Sequence, residues 1–426
     1  MSEGRTKLRI WIFQTGEPMP GDVDIVNPMR CMNLTSALLD RGHEVVVWTS
    51  AFSHQKRAFR SVSVNPRVID DRLSVIYTPS TGYRSSVGPA RLVDHLIMGA
   101  RCHSLLHEGL VPAPDVAFVG FPPIEFAFAA ARYLKRMGIP YVVDPKDMWP
   151  EFFSERLPSS LRPLARAAFW PMKSMRDFVF RNAFSISTIS DGFLRWALDA
   201  AGRAVDVYDG VFPLTSAIKP SRDGGHPWKE ILPASDVARI GDGPVFLYAG
   251  TLTHVLDIEG LRVAARLALA DNPSARFVVC GDGSASSDFD ALAAEFPNII
   301  CLGRVPRESV AALLSRATAS LIPYRNFESM SAGVPNKFYD AMAASVPIIS
   351  CLSGDVAGII ESEDVGLRYA EGDGVSLHRC IVRYLSDPLT RDQHSLNAGR
   401  LYSARYEFHG VYDRLCMVLE AAGRRA

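Results

Sequence analysis

Lys337 and Asp340 lie three residues apart in the segment Pro335-Asn336-Lys337-Phe338-Tyr339-Asp340. The preceding Gly333-Val334-Pro335 reads as a turn, and residues 337–344 read as the beginning of a helix. A helix start offers free N–H groups and the positive end of the macrodipole, so it attracts phosphate. Lys337 adds a formal charge in that first turn, close to the amides of Asn336 and Phe338. Asp340, one turn on, could accept two hydrogen bonds from a vicinal diol such as that of a ribose. The alternative is an ordinary capped helix with Lys337 and Asp340 in solvent.

Other acids are candidates of a different kind. Asp147 and Glu151 are four apart, so on a helix they would share one face and could orient a hydroxyl. Asp147 could equally cap a helix beginning at Trp149-Pro150. Glu125 follows Phe121-Pro122-Pro123-Ile124 at a strand–helix junction. It could contact a substrate, or simply complement the helix dipole. His54, His95, His103 and His107 show no ligand spacing, and no acidic pair reads as a metal-binding DxD. No metal or bound cofactor is expected.

These residues need a scaffold, and the chain of 426 residues is long enough for two domains. In the first half, apolar runs at 9–13, 43–48, 73–78, 116–120, 141–144 and 183–190 read as strands. Helical patterns at 27–41, 90–108 and 124–138 lie between them. This alternation implies βαβ units and a parallel sheet. Residues 213–243 are rich in Pro, Gly, Asp and Ser and read as a linker. The pattern then restarts at 245–250, 277–283, 299–303, 319–323 and 346–351. Each run ends in Gly, Pro or a small residue, where a loop would leave the carboxyl edge of a sheet. Ligands bind at that edge in open parallel sheets. A final amphipathic helix spans 407–422. The domains expected are 1–212, a linker 213–243, a nucleotide-binding domain 244–400, and a tail 401–426 that returns to the first domain.

Lys+Arg and Asp+Glu both number 46, giving a formal net charge of zero. A global nucleic-acid-binding field is therefore not expected. The seven cysteines are scattered singly, which favours a reducing compartment over a disulfide framework. No run approaches the ~20 apolar residues of a membrane span, and the N-terminal apolar run is too short for a signal-peptide core. One segment is nonetheless suited to a membrane surface. Residues 154–182 carry Arg156, Arg162, Arg166, Lys173 and Arg176 among Leu161, Leu164, Phe169, Trp170 and Phe178. Basic, aromatic-rich amphipathic helices lie on anionic membranes. The alternative is a core helix with solvated arginines.

Several blocks, in order, carry a family resemblance. They are Gly16-Glu17-Pro18-Met19-Pro20, Pro28-Met29-Arg30, Arg41-Gly42-His43-Glu44-Val45, and Asp144-Pro145-Lys146-Asp147-Met148-Trp149-Pro150-Glu151. The later ones are Ile189-Ser190-Asp191-Gly192, Tyr248-Ala249-Gly250-Thr251, Cys280-Gly281-Asp282-Gly283, Leu302-Gly303-Arg304-Val305-Pro306, and the stretch 335–344. Over nearly its whole length the chain resembles the family 4 glycosyltransferases, retaining enzymes of GT-B fold. It is similar to bacterial enzymes that add N-acetylated aminosugars such as N-acetylfucosamine to O-antigen, capsule or exopolysaccharide.

The resemblance implies an α/β fold: two Rossmann-like, doubly wound domains facing a cleft. It implies a UDP-sugar donor, a lipid-linked or growing saccharide acceptor, and a peripheral place on the inner face of the cell membrane. Gly16 would face the donor. Gly250 and Thr251 would lie near the diphosphate, with Gly281 at the end of the next strand. The backbone at Arg304 and Val305 would read the base. Lys337 and the amides of Asn336 to Phe338 would hold the diphosphate, and Asp340 would bind ribose. Two departures stand out. Ala332 replaces the first glutamate of the family's E-x7-E element, and His254 stands where basic residues are usual. Two alternatives remain: a sugar-nucleotide epimerase of the same fold, against which the segment 154–182 and the Trp149-Pro150-Glu151 block speak, and a catalytically weakened nucleotide-sugar-binding scaffold, motivated by the missing glutamate.

Overall fold

The computed structural model describes residues 7–19, 22, 29–60, 65–84, 88–155, 157–216, 218 and 228–425. Pro20, Asn27, Pro28, Arg156 and residues 219–227 lie outside the described residues, as does the side chain of Arg166. The chain divides into two compact units, Met1–Pro213 with His409–Ala426, and Leu214–Phe408.

The strands of the first unit are β1 (Arg9–Phe13), β2 (Glu44–Ser50), β3 (Phe52–Ser53), β4 (Ala58–Phe59), β5 (Arg67–Asp70), β6 (Leu73–Thr78), β7 (Val116–Phe121), β8 (Tyr141–Pro145), β9 (Ser185–Thr188) and β10 (Gly210–Val211). Its helices are α1 (Arg30–Asp40), α2 (Pro89–His107), α3 (Ile124–Met137), α4 (Glu151–Glu155), α5 (Arg162–Ala168), α6 (Trp170–Arg181) and α7 (Asp191–Ala201). Eight strands form a sheet in the order β10-β9-β8-β7-β1-β2-β6-β5. Its pairs are parallel except β5 with β6. Parallel strands covered on both faces read as unbroken apolar runs. Accordingly, every residue of β7 is buried.

The second unit contains α8 (Trp228–Ile231), α9 (Ala234–Ile240), β11 (Val245–Ala249), α10 (Ile258–Asp271), β12 (Arg276–Cys280), α11 (Ser286–Glu295), β13 (Ile299–Gly303), α12 (Arg307–Arg316), β14 (Ala319–Ile322), α13 (Glu328–Ser331), α14 (Asn336–Ala343), β15 (Ile348–Ser350), α15 (Asp355–Glu363), β16 (Gly366–Arg368), α16 (Gly374–Ser386) and α17 (Pro388–Leu401). Its strands form a parallel sheet in the order β13-β12-β11-β14-β15-β16. A π-helical turn, Tyr402–Tyr406, follows α17. The last helix, α18 (Phe408–Gly423), belongs to the first unit from His409 onward.

One expectation needs correction. The stretch 213–243 is not a plain linker, because α8 and α9 occupy its second half. Trp228, Leu232 and Ile240 are buried in the core of the second unit. That burial outweighs the turn-rich composition, since a buried large side chain contributes about 1.5–3 kcal/mol.

Both sheets have a point where the strand order reverses. In the first unit it falls between β1 and β7, and in the second between β11 and β14. Crevices open at such points, outside the carboxyl ends of the strands.

Candidate active site

In the second unit, β11 ends at Ala249 and runs into Gly250, whose N–H donates to the Cys280 carbonyl at 2.8 Å. Gly281 N–H donates to the Gly303 carbonyl at 2.7 Å. Gly281 has φ of 144°, and a β-carbon there would collide with the Gly250 carbonyl oxygen. Glycine is required on both counts. Thr251 is exposed, and its carbonyl accepts from Tyr248 Oη at 2.9 Å.

Lys337 comes to the same place from α14. A β-carbon on Gly250 would collide with Lys337 Cε, so the lysine stem lies directly on the glycine. Lys337 Nζ sits 5.7 Å from the Tyr324 ring centroid, just beyond β14. It makes no hydrogen bond or ion pair among the described residues. The switch point of this sheet therefore holds a half-buried lysine that forms no ion pair among the described residues, at the start of a helix. That is the electrostatics of an anion site.

The other expected residues fall into place unevenly. The Phe338 N–H donates to the Pro335 carbonyl at 2.9 Å, so it is not a free amide. The Phe338 side chain is buried in the core. The amides of Asn336 and Lys337 remain to serve an anion. Arg304 is exposed after Gly303, and Val305 packs partly against the core. Arg325 pairs with Glu371 at 3.1 Å, so it is no spare charge for a phosphate. His254 is exposed, 3.5 Å from Asp288. Asp340 accepts from Ser216 Oγ at 2.5 Å and lies 3.7 Å from Arg307. Its burial raises the carboxyl pKa, against the lowering effects of Ser216, Arg307 and Lys337.

In the first unit, the loops after β1 and β7 border a cavity of about 220 Å³. Gly16, with φ of 78°, is on its rim, and Glu17 and Lys146 line it as an ion pair. Asp147 lines it too. The helix after Asp147 begins only at Glu151, so the two carboxylates do not share a helical face. Glu151 turns away to Arg176 at 2.6 Å and Lys173 at 3.2 Å. Glu125 is buried and is not among the lining residues. Its Oε2 has no hydrogen-bond partner, and burial raises its pKa.

Sequence reasoning passed over two histidines here. His54 and His95 both line the cavity. His95 is 2% exposed, stacks on Trp149 at 5.6 Å, and has a buried Nδ1 without a partner. Burial, together with Arg91, holds His95 down at about 3 and His54 at about 4. Both rings are therefore neutral near pH 7. Asp94, beside His95, fixes the loop 80–82 through Ser80, Thr81 and Gly82. On sequence, α2 reads as a helix of mixed polarity, and nothing local marks which side chains enter a cavity.

A second cluster is structural. Arg30 and Asp144 are fully buried and joined by a bidentate pair at 2.7–3.0 Å. Arg30 also donates to the Phe212 carbonyl at 2.7 Å and to Ser187 Oγ at 3.0 Å. It ties α1, β8, β9 and the exit of β10 together.

The surface segment 154–182 needs a second correction. Arg176 is 7% exposed and bound to Glu151 and Asp177, so it cannot face a membrane. Among the described residues the segment does expose large apolar side chains: Leu161, Leu164 (71%) and Trp170 (68%). Arg162 is exposed among them. Among the described residues no helix is long and apolar enough to cross a membrane.

Comparisons with known proteins agree with this architecture. Residues 29–208 match the Glycosyl transferase 4-like domain, and residues 243–387 match Glycosyl transferases group 1. Alpha-D-kanosaminyltransferase of Streptomyces kanamyceticus is 22% identical over 187 residues. That match covers 43% of this chain and 47% of the relative, so the chain spans about half the relative's length. Among solved structures, sucrose-phosphate synthase from Thermosynechococcus elongatus superposes with a TM-score of 0.71 at 14% identity, covering 99% of this chain and 100% of that one. Anabaena HepE in complex with UDP gives 0.63 at 15% identity, covering 98% and 100%. At such identities the likeness establishes the fold. The chain therefore carries, in order, a match to the Glycosyl transferase 4-like domain and a match to Glycosyl transferases group 1, on a GT-B fold.

Proposed function

We propose that the protein is a retaining glycosyltransferase that moves a sugar from a UDP-sugar to a lipid-linked or growing saccharide acceptor. The observation that carries this reading is Lys337, without an ion pair among the described residues, lying on Gly250 at the switch point of the second sheet. In a retaining transfer the donor C1–O bond ionises, as in glycoside hydrolysis, and charge builds on the departing diphosphate. Lys337 and the amides of Asn336 and Lys337 stabilise that charge by fixed electrostatics. Asp340 takes the ribose diol, and the backbone at Arg304 and Val305 reads the base. This reading needs no metal, because the lysine and helix start supply the positive field. The likeness to a protein crystallised with UDP supports a uridine donor.

The cavity of the first unit suits the acceptor. It offers neutral histidines, an aromatic wall at Tyr83 and Phe52, and the Asp147 carboxylate. The likeness to a kanosaminyltransferase supports an aminosugar as the group transferred, and N-acetylation of that sugar is part of the proposal. A role in surface polysaccharide assembly would place the protein on the inner face of the membrane, where the exposed patch at Leu161, Leu164 and Trp170 would rest.

The test is UDP release with a panel of UDP-sugars and lipid-linked saccharides. Release that requires both partners supports the transferase. Interconversion of free UDP-sugars would replace it with the epimerase. Tight UDP binding without turnover on any acceptor would leave the scaffold.

A further inference from the structure

The Asp340 carboxylate is held by one oxygen only. Its Oδ1 accepts from Ser216 Oγ at 2.5 Å and lies 3.7 Å from Arg307 Nη2. Oδ2 has no hydrogen-bond partner among the described residues. Ser216 is buried and pinned in turn. Its N–H donates to Tyr402 Oη at 3.1 Å, and the Tyr402 hydroxyl donates back to the Ser216 carbonyl at 3.1 Å. The Ile218 N–H donates to Ser216 Oγ at 3.0 Å. A serine hydroxyl has a single proton. With Ile218 donating to its oxygen, that proton is directed to Asp340.

The support behind this relay is rigid. Tyr402 opens the π-helical turn Tyr402–Tyr406. Tyr406 packs edge-on against Tyr339, the neighbour of Asp340 on α14, with ring centroids 5.2 Å apart. Single π-helical turns concentrate at functional sites. Here the turn closes a ring of contacts: Tyr402 to Ser216, Ser216 to Asp340, and α14 back to Tyr406.

We infer that Ser216 is a positioning residue: its hydroxyl anchors Asp340 by Oδ1, so that Oδ2 is presented in one orientation to the vicinal hydroxyls of the donor's ribose. This rests on the ribose reading of Asp340 given above. A carboxylate fixed beforehand loses less rotational freedom when the ligand arrives, which favours binding.

The experiment measures binding of UDP and of 2′-deoxy-UDP to the full chain by calorimetry. The wild type should prefer UDP roughly tenfold, the worth of one charge-assisted hydrogen bond. Ser216→Ala should lose most of that preference while binding 2′-deoxy-UDP nearly as before. Ser216→Thr should keep it. If the wild type binds UDP without discriminating the deoxy form, the ribose role of Asp340 fails. If the wild type discriminates and Ser216→Ala discriminates equally, the positioning role fails and the ribose role stands. Should Ser216→Ala not fold, Tyr402→Phe carries the same comparison, because it removes the hydroxyl and keeps the ring. Loss of discrimination there supports the relay, and full retention overturns it.

Discussion

The side chain of Lys337 lies on the bare backbone of Gly250, where a single added β-carbon would collide with it. The two residues are far apart in sequence, and the sheet brings them together at its switch point. The glycine therefore gives the lysine room to cross the end of β11. The role of one residue depends on the other.

This dependence can be measured. Lys337→Ala removes a charge-assisted contact, worth about 1.5–3 kcal/mol, and should weaken UDP binding by roughly ten- to a hundredfold. Gly250→Ala should weaken it comparably by displacing the lysine. The double variant should be little worse than either single one, because both remove the same contact. Additive losses in calorimetric titrations would mean that Gly250 serves the ligand independently of Lys337.

Arg30 and Asp144 make a different prediction, about stability. Removing one partner of a buried ion pair leaves an uncompensated charge and costs about 3–5 kcal/mol. Arg30→Met should therefore sharply lower the urea midpoint for unfolding of the first unit. Adding Asp144→Leu to Arg30→Met should recover much of the loss. Two units need not unfold in one step, so midpoints rather than extrapolated free energies are the quantity to compare. An unchanged midpoint in Arg30→Met would show that Lys146, whose Nζ lies 3.8 Å from Asp144 Oδ2, compensates the carboxylate by itself.

How much of this was legible in the sequence follows from range. Buried parallel strands such as β7 and β11 are continuous apolar runs, so their positions could be read directly. The edge strand β5, with its exposed residues, and the two-residue β3 and β4 carry no such signal. Helices α8 and α9 were hidden because both are short and lie in a turn-rich stretch, so their anchoring side chains such as Trp228 and Ile240 show no readable period. At the candidate site, the phosphate-attracting helix start was legible because its residues are local. The Gly250–Lys337 contact, the Ser216–Asp340 bond and the His95 pocket wall all join distant segments, and no spacing rule announces them. The pairing of Arg176 with Glu151 spans 25 residues, and it turned an expected membrane contact into an internal one.

The last helix gives a prediction about acid. Glu420 on α18 accepts from Arg41 at 2.7 Å and contacts His43 at 3.0 Å. Burial alone would raise its pKa, but the hydrogen bonds and charges of Arg41 and His43 outweigh this and hold it at about 2, below its ordinary 4.5. A carboxyl depressed in the folded state stabilises fully above its unfolded pKa and loses that contribution as pH falls through the folded one. Glu420→Gln should therefore melt below the wild type at pH 7. The gap should narrow between pH 4.5 and 2. A gap that stays constant over that window would assign the contribution of Glu420 to packing instead of charge.

The exposed patch on residues 157–170 makes the final prediction, on membrane binding. Leu164 and Trp170 are 71% and 68% exposed, with Arg162 nearby. Apolar side chains gain about 25 cal/mol per Å² on leaving water, and each basic residue near an anionic surface adds about 1 kcal/mol. With Arg176 buried, the apolar share should dominate. Leu164→Ser with Trp170→Ser should therefore reduce flotation with anionic vesicles more than Arg162→Gln does. Raising salt should weaken the remaining binding of the serine variant more steeply than that of the wild type, because the charge contribution is screened and the apolar one is not. Flotation that is unaffected by the serine pair would detach this surface from any membrane role and leave catalysis at the donor site to be judged on its own.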